Sequence, residues 1–275
     1  MTVVLPGMLA IANWKMKLDV LQSVALAQAM VKSARRLPQG TEVVLCPTFL
    51  SLAHVAAAVK GSTLRLGAQD CFWETQGAFT GEVSPADLRQ LDCQYVILGH
   101  SERREHMQET DGQVHRKLEA ALRTGLTPVL CIGENYQERS GSQKDYVLIR
   151  QLQAALQGVT LGPDDRLVVA YEPVWAISTG GTGIEATPDE VQYASEVIRH
   201  IIIDLYGAAV LQRSVQIVYG GSVNPSNVAS FTQLPTLHGV LVGSASLDAA
   251  TFLAVISAAL NPMPGSTTDR SNTAI

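Results

Sequence analysis

Short runs of consecutive apolar residues recur along the chain at 8–12, 42–46, 64–68, 95–98, 128–132, 167–171, 215–219 and 239–242, each bounded by glycine, proline or polar residues. Longer stretches with helical spacing of apolar positions follow them, as at 20–34, 114–124, 188–206 and 247–260. A strand buried on both faces loses the alternation of a half-exposed strand and reads as a continuous apolar run. Eight such strands, each followed by a crossover helix, predict an α/β fold: a single-domain, closed (β/α)8 barrel spanning residues 1–260. An open doubly wound sheet is the alternative, but no GxGxxG follows the first run. No linker divides the chain, and the Pro-, Ser- and Thr-rich segment 261–275 is expected to be a flexible tail.

Composition narrows the function. The 275 residues carry a formal charge of -5 without a basic cluster, which argues against nucleic acid or an anionic membrane as partner. The apolar stretch 3–12 lacks a positive leader and is too short to span a bilayer. Cys46, Cys71, Cys93 and Cys131 are scattered without CxxC spacing, as expected of reduced thiols in a cytoplasmic protein. No His, Cys or carboxylate cluster has ligand spacing, so a metal is not expected.

A barrel gathers its functional residues just after the strands, because those ends share one face. In the stretch AYEPVWAISTGG (170–181), Glu172 stands at the end of the sixth run, before a stiff Pro-Val-Trp step and a series of small residues. A carboxylate on a rigid strand beside a segment able to close suits proton abstraction from carbon, which needs close placement and exclusion of water. Asn13 and Lys15 follow the first run, and alternate residues of an extended segment share a side. His100 follows the fourth run at the opening of a helix, where backbone dipoles disfavour its protonated form. Small residues in YGGSV (219–223) and VGSASL (242–247) follow the last two runs, where barrels commonly bind phosphate through backbone N–H groups. Taken singly, each feature has an ordinary reading: a surface carboxylate, a snorkelling lysine, a structural histidine, glycines that only make turns.

The segments ANWKM (12–16), GAFTGE (77–82), ILGHSERR (97–104), CIGE (131–134), AYEPVWAI (170–177), YGGSV and LVGSASL (241–247) stand in the order found in triosephosphate isomerase, which the chain resembles over residues 9–260. The resemblance implies a TIM barrel that interconverts dihydroxyacetone phosphate and glyceraldehyde 3-phosphate in glycolysis and gluconeogenesis, without metal or cofactor. It makes Glu172 the base, His100 a neutral electrophile, Lys15 the electrostatic stabiliser and Asn13 a ligand of the same substrate oxygens. Ser178, Ser222, Gly243 and Ser244 would hold the phosphate, and residues 177–180 would form a closing lid. Glu102 would be tied to Lys15, while Cys131 and Glu134 would belong to a structural cluster under the site. The GAFTGE loop would place Thr80 near Asn13 and Lys15 of a second subunit, with Glu82 pairing with Arg103 across the interface. A homodimer is therefore expected, with a tetramer left open.

The chain departs from that pattern at a few positions. Ser178 and Ser244 stand where the family usually has glycine, at a cost on the order of 1–2 kcal/mol wherever φ must be positive. At Ser244 little harm is expected, since serine is a good N-cap. Glycines 181 and 183 and the added stretch 184–186 loosen the far hinge, predicting an active enzyme with a weaker or slower lid. Lys17 replaces a common asparagine near the expected interface. Two competing functions stay open: a sugar-phosphate barrel using Lys15 as a Schiff-base nucleophile, and a phosphate-binding barrel that has lost catalysis.

Overall fold

The computed structural model describes residues 7–35, 37–177 and 183–260. Strands β1 (Met8–Asn13), β2 (Thr41–Cys46), β3 (Arg65–Ala68), β4 (Cys93–Leu98), β5 (Thr127–Ile132), β6 (Leu167–Tyr171), β7 (Val215–Tyr219) and β8 (Gly239–Val242) pair in sequence order and close into a barrel. Every pairing is parallel, including β8 with β1. Each predicted run is a strand, with its ends displaced by no more than two residues.

The strands bury both faces. Leu9, Ile11, Val44, Tyr95, Ile97, Val168, Ala170, Val218 and Leu241 fill the barrel interior. Their neighbours, such as Ala10, Ala12, Val43, Val96, Val169 and Val240, pack outward against the helices. The outer ring comprises α1 (Val20–Ala34), α2 (Phe49–Val59), α3 (Pro85–Gln90), α4 (Ser101–His106), α5 (Asp111–Arg123), α6 (Tyr136–Ser140), α7 (Lys144–Leu156), α8 (Pro188–Tyr206), α9 (Ala208–Ser214), α10 (Val228–Thr232) and α11 (Ala249–Leu260). Two 3₁₀ turns, Val174–Ala176 and Ser244–Ser246, follow β6 and β8.

Side-chain capping fixes helix starts that apolar periodicity alone misplaces. α5 begins at Asp111, before the predicted 114, because Thr110 accepts from Gln113 N while the Gln113 side chain accepts from Thr110 N. Thr187 and Glu190 form the same reciprocal box ahead of Pro188, which opens α8. The last helix starts at Ala249 rather than at 247, since the 3₁₀ turn and Asp248 occupy the intervening residues. Among the described residues no helix is long and apolar enough to cross a membrane.

Candidate active site

Strand alternation aims two of the site residues. Val168 and Ala170 point into the barrel, and Glu172, two residues on, continues that row at its mouth. Asn13 likewise continues Leu9 and Ile11. Both end up buried, with Glu172 2 % exposed. Gly220 leaves room for the carboxylate: a Cβ there would lie 2.8 Å from Glu172 Cγ and 3.4 Å from its Oε1.

His100 is brought in differently. Ile97 faces inward on β4, and Gly99 at φ 67° then turns the chain, so that His100 caps α4 over the same mouth. Its Nδ1 accepts the Glu102 N–H at 3.2 Å. A ring nitrogen that accepts cannot carry the proton, so the hydrogen of the neutral imidazole is on Nε2. That nitrogen lies 3.3 Å from Glu172 Oε1, while Glu172 Oε2 accepts the Ser101 N–H at 3.3 Å.

Lys15 occupies the left-handed region at φ 51°, which costs a non-glycine residue about 1–2 kcal/mol. Its N–H donates to Asn13 Oδ1 at 3.0 Å, and its carbonyl accepts from Gln69 Nε2 at 2.9 Å. The same Gln69 amide donates to Cys46 O at 2.9 Å, binding the first loop to the end of β2. Lys15 Nζ donates to Glu102 Oε1 at 2.7 Å, as the resemblance implied. Burial pushes the Glu102 carboxyl up, but the hydrogen bond and charge of Lys15 outweigh it and hold it below the usual range.

One pocket is lined by Asn13, Lys15, His100, Glu172, Ile177, Gly220, Gly221, Val223, Leu241, Gly243 and Ser244. It joins residues from five of the strand ends. Ser222 does not line it; its N–H donates to Ala176 O at 3.1 Å, linking the β7 loop to the 3₁₀ turn after β6. Ser244 is an exposed first residue of a 3₁₀ turn and not an N-cap: Gly243 holds the cap position, and Ser246 Oγ donates to Val242 O and Gly243 O. Nor is Ser244 among the residues with positive φ, so serine carries no left-handed strain there. Ser178 lies outside the described residues, as does most of the expected lid.

The polar cluster under the site is satisfied internally. Glu134 accepts from Tyr171 Oη at 3.1 Å and from Trp175 Nε1 at 2.8 Å. Cys131 is fully buried, and desolvation together with the Glu172 charge pushes its thiol well up, so it remains a thiol. Beside it lies a buried charge cluster that inspection of motifs missed. Lys117 donates to Glu109 Oε1 and to both oxygens of Asp70, at 2.9 and 2.8 Å for the latter. Arg103 joins Asp70 at 2.9 Å and Glu109 at 3.0 Å. Arg103 is thus engaged within its own chain, where the Glu82 charge also reaches it.

Thr80 stands on an exposed loop away from this chain's own pocket, and Phe79 beside it is 42 % exposed with its ring 4.7 Å from that of Phe72. Gln69 and Ser101 are the site residues that sequence reading left without roles. Ser101 was inside a quoted motif; Gln69, a lone amide in a loop, offered no signal.

The triosephosphate isomerase family model matches residues 8–259. The chain is 44% identical over 245 residues to the triosephosphate isomerase of Pelobacter propionicus, covering 89% of this chain and 96% of that protein. It is 45% identical over 244 residues to that of Chloroflexus aurantiacus, with the same coverage of 89% and 96%. Against that of Dictyoglomus thermophilum the identity is 39% over 248 residues, again 89% and 96%. With a closed barrel and one pocket joining Asn13, Lys15, His100 and Glu172, the chain belongs to the triosephosphate isomerase family.

Proposed function

We propose that the pocket interconverts dihydroxyacetone phosphate and D-glyceraldehyde 3-phosphate by proton transfer through an enediol(ate). The observation that carries this reading is the 3.3 Å approach of Glu172 Oε1 to His100 Nε2 inside one pocket. Glu172 acts as the base on the carbon acid. The Ser101 N–H donates to its Oε2, while His100 Nε2 lies 3.3 Å from its Oε1; a substrate oxygen that engages the His100 Nε2–H leaves Oε1 to the C–H. His100, neutral, donates to whichever oxygen gains charge and passes protons between the two oxygens. Lys15 and Asn13 stabilise the same developing anion in a site shielded from water. Lys15 Nζ is held by Glu102, which fits an electrostatic role.

The substrate's phosphate binds at the Gly221 and Gly243–Ser244 end of the pocket, where backbone N–H groups of small residues can approach closely. Ser222, and Ser178, which lies outside the described residues, are the remaining phosphate ligands of this reading. No cofactor or metal enters this chemistry, because the substrate carbonyl itself acidifies the adjacent C–H.

Residues 1–260 form the catalytic domain, with 261–275 a dispensable tail. The working unit is a homodimer: Met16, next to Lys15, is 92 % exposed, and the exposed Thr80 loop follows β3 at the same end of the barrel, so a second copy would cover both. All four cysteines are free and buried, in keeping with a cytoplasmic protein. A coupled assay of glyceraldehyde 3-phosphate turnover on the wild type and on Glu172→Gln tests the reading. Loss of the general base should lower kcat by about 10²–10⁴. Equal rates, or borohydride trapping of substrate on Lys15, would exclude it.

A further inference from the structure

We infer that Arg139 is a positioning residue for the catalytic carboxylate, acting on Glu172 through the indole of Trp175. This rests on the isomerase reading and deepens it. Trp175 follows Glu172 in the 3₁₀ turn and is 2 % exposed. Its edge is held by the Nε1 donation to Glu134 at 2.8 Å. The guanidinium of Arg139 closes the ring's face, with Cζ 3.7 Å from the ring centroid. A cation at that distance is attracted to the ring's negative face, which holds the ring against a tilt.

Arg139 is itself aimed. Its Nη2 donates to Glu190 Oε1 at 2.6 Å, and the other oxygen of Glu190 accepts from Thr187 N and Oγ1 at 2.9 and 3.1 Å in the cap of α8. The carboxylate that orients Arg139 is therefore fixed to a nineteen-residue helix. Lys144 repeats the arrangement on the other side of Glu172. Its Nζ donates to Glu190 O at 2.9 Å and lies 5.4 Å from the centroid of the Tyr171 ring, whose hydroxyl also reaches Glu134. Thus the aromatic residues on either side of Glu172 converge on Glu134 and are each faced by a cation anchored on the first turn of α8. Glu172, between them, has its orientation set by that frame, and a carboxylate displaced by even an ångström loses much of its effectiveness as a base.

The test compares wild type, Arg139→Ala and Arg139→Lys in steady-state kinetics and in indole N–H spectra of the 15N-labelled protein. The chain has three tryptophans, at 14, 73 and 175, and Trp175→Phe identifies the Trp175 signal. Arg139→Ala should lower kcat about tenfold with KM within about twofold of wild type, and should move the Trp175 signal while those of Trp14 and Trp73 stay in place. Arg139→Lys keeps the charge but not the planar face, and should fall between; it also serves if the alanine variant fails to fold. Placed in the Trp175→Phe background, Arg139→Ala should cost less than half of what it costs alone, as residues acting through one another are not additive. Unchanged kcat, or a loss undiminished in that background, overturns the inference. An inactive wild type would sink the isomerase reading and this inference with it, whereas an active wild type with indifferent variants sinks this inference alone.

Discussion

Glu172 Oε1 and His100 Nε2 approach to 3.3 Å from strands that are not neighbours, β6 and β4, with β5 between them. The imidazole is fixed from behind, since Nδ1 accepts the Glu102 N–H and so leaves the hydrogen on Nε2, facing the pocket. His100→Asn removes that donor from its position while keeping a side chain that can cap α4. Turnover should fall by about 10²–10⁴, the usual range for a positioned acid–base group, with unchanged thermal stability. Steady-state kinetics and a melting curve decide; a rate within threefold of wild type would remove His100 from the chemistry.

Gly220 gives a sharper test of carboxylate placement, because the substitution leaves every catalytic group in the chain. Its absent Cβ would sit 2.8 Å from Glu172 Cγ, closer than real Cβ atoms come, so the Glu172 side chain must move. Gly220→Ala should therefore lower kcat at least tenfold while inorganic phosphate still competes with substrate at near wild-type strength. A simultaneous and equal loss of phosphate inhibition would mean that the alanine disrupts the whole β7 loop.

The barrel was legible because double burial leaves an unbroken apolar run, and every run became a strand. The direction of Asn13 and Glu172 was legible as well, since both extend the inward rows of their strands. Positions set by turns or by distant partners were not. Ser244 reads as an N-cap in sequence, but the 3₁₀ turn shifts that place to Gly243. Arg103 could not be assigned from the chain alone, since Asp70 and Glu109 reach it from other elements. Gln69 contributes by spanning Lys15 O and Cys46 O, a contact that exists only once β2 and the first loop are assembled.

Gln69→Met keeps the length and volume of that side chain but removes both N–H donations. The carbonyls of Lys15 and Cys46 then lose the Gln69 amide, Cys46 O keeping the Trp14 N–H, at roughly 1–3 kcal/mol for the two hydrogen bonds, and the left-handed backbone of Lys15 loses a support. We predict a fall in urea-unfolding free energy of that order, and at least a tenfold drop in kcat/KM. Should stability fall without any change in kcat/KM, Gln69 supports the fold and not Lys15.

The buried cluster of Asp70, Glu109, Arg103 and Lys117 makes stability depend on pH in a direction set by Asp70. Burial raises its carboxyl, Glu109 adds to the rise, and the charges of Lys117 and Arg103 offset only part of it, leaving Asp70 pushed up to about 6 from an ordinary 3.8. Between those values the folded protein binds more protons than the unfolded chain, so this group's contribution is present at low pH and is lost as pH rises through about 6. Glu109 works the opposite way: burial raises its carboxyl, but the Lys117 and Arg103 bonds hold it below its ordinary 4.5, so its contribution fades only as pH falls beneath that range. Asp70→Asn leaves Glu109 and both cations in place and removes the first effect. The melting temperature of wild type relative to Asp70→Asn should therefore rise as pH is lowered from 7 to 5. Parallel curves across that interval would show that Asp70 stays ionised throughout, held by Lys117 and Arg103 more strongly than burial opposes them.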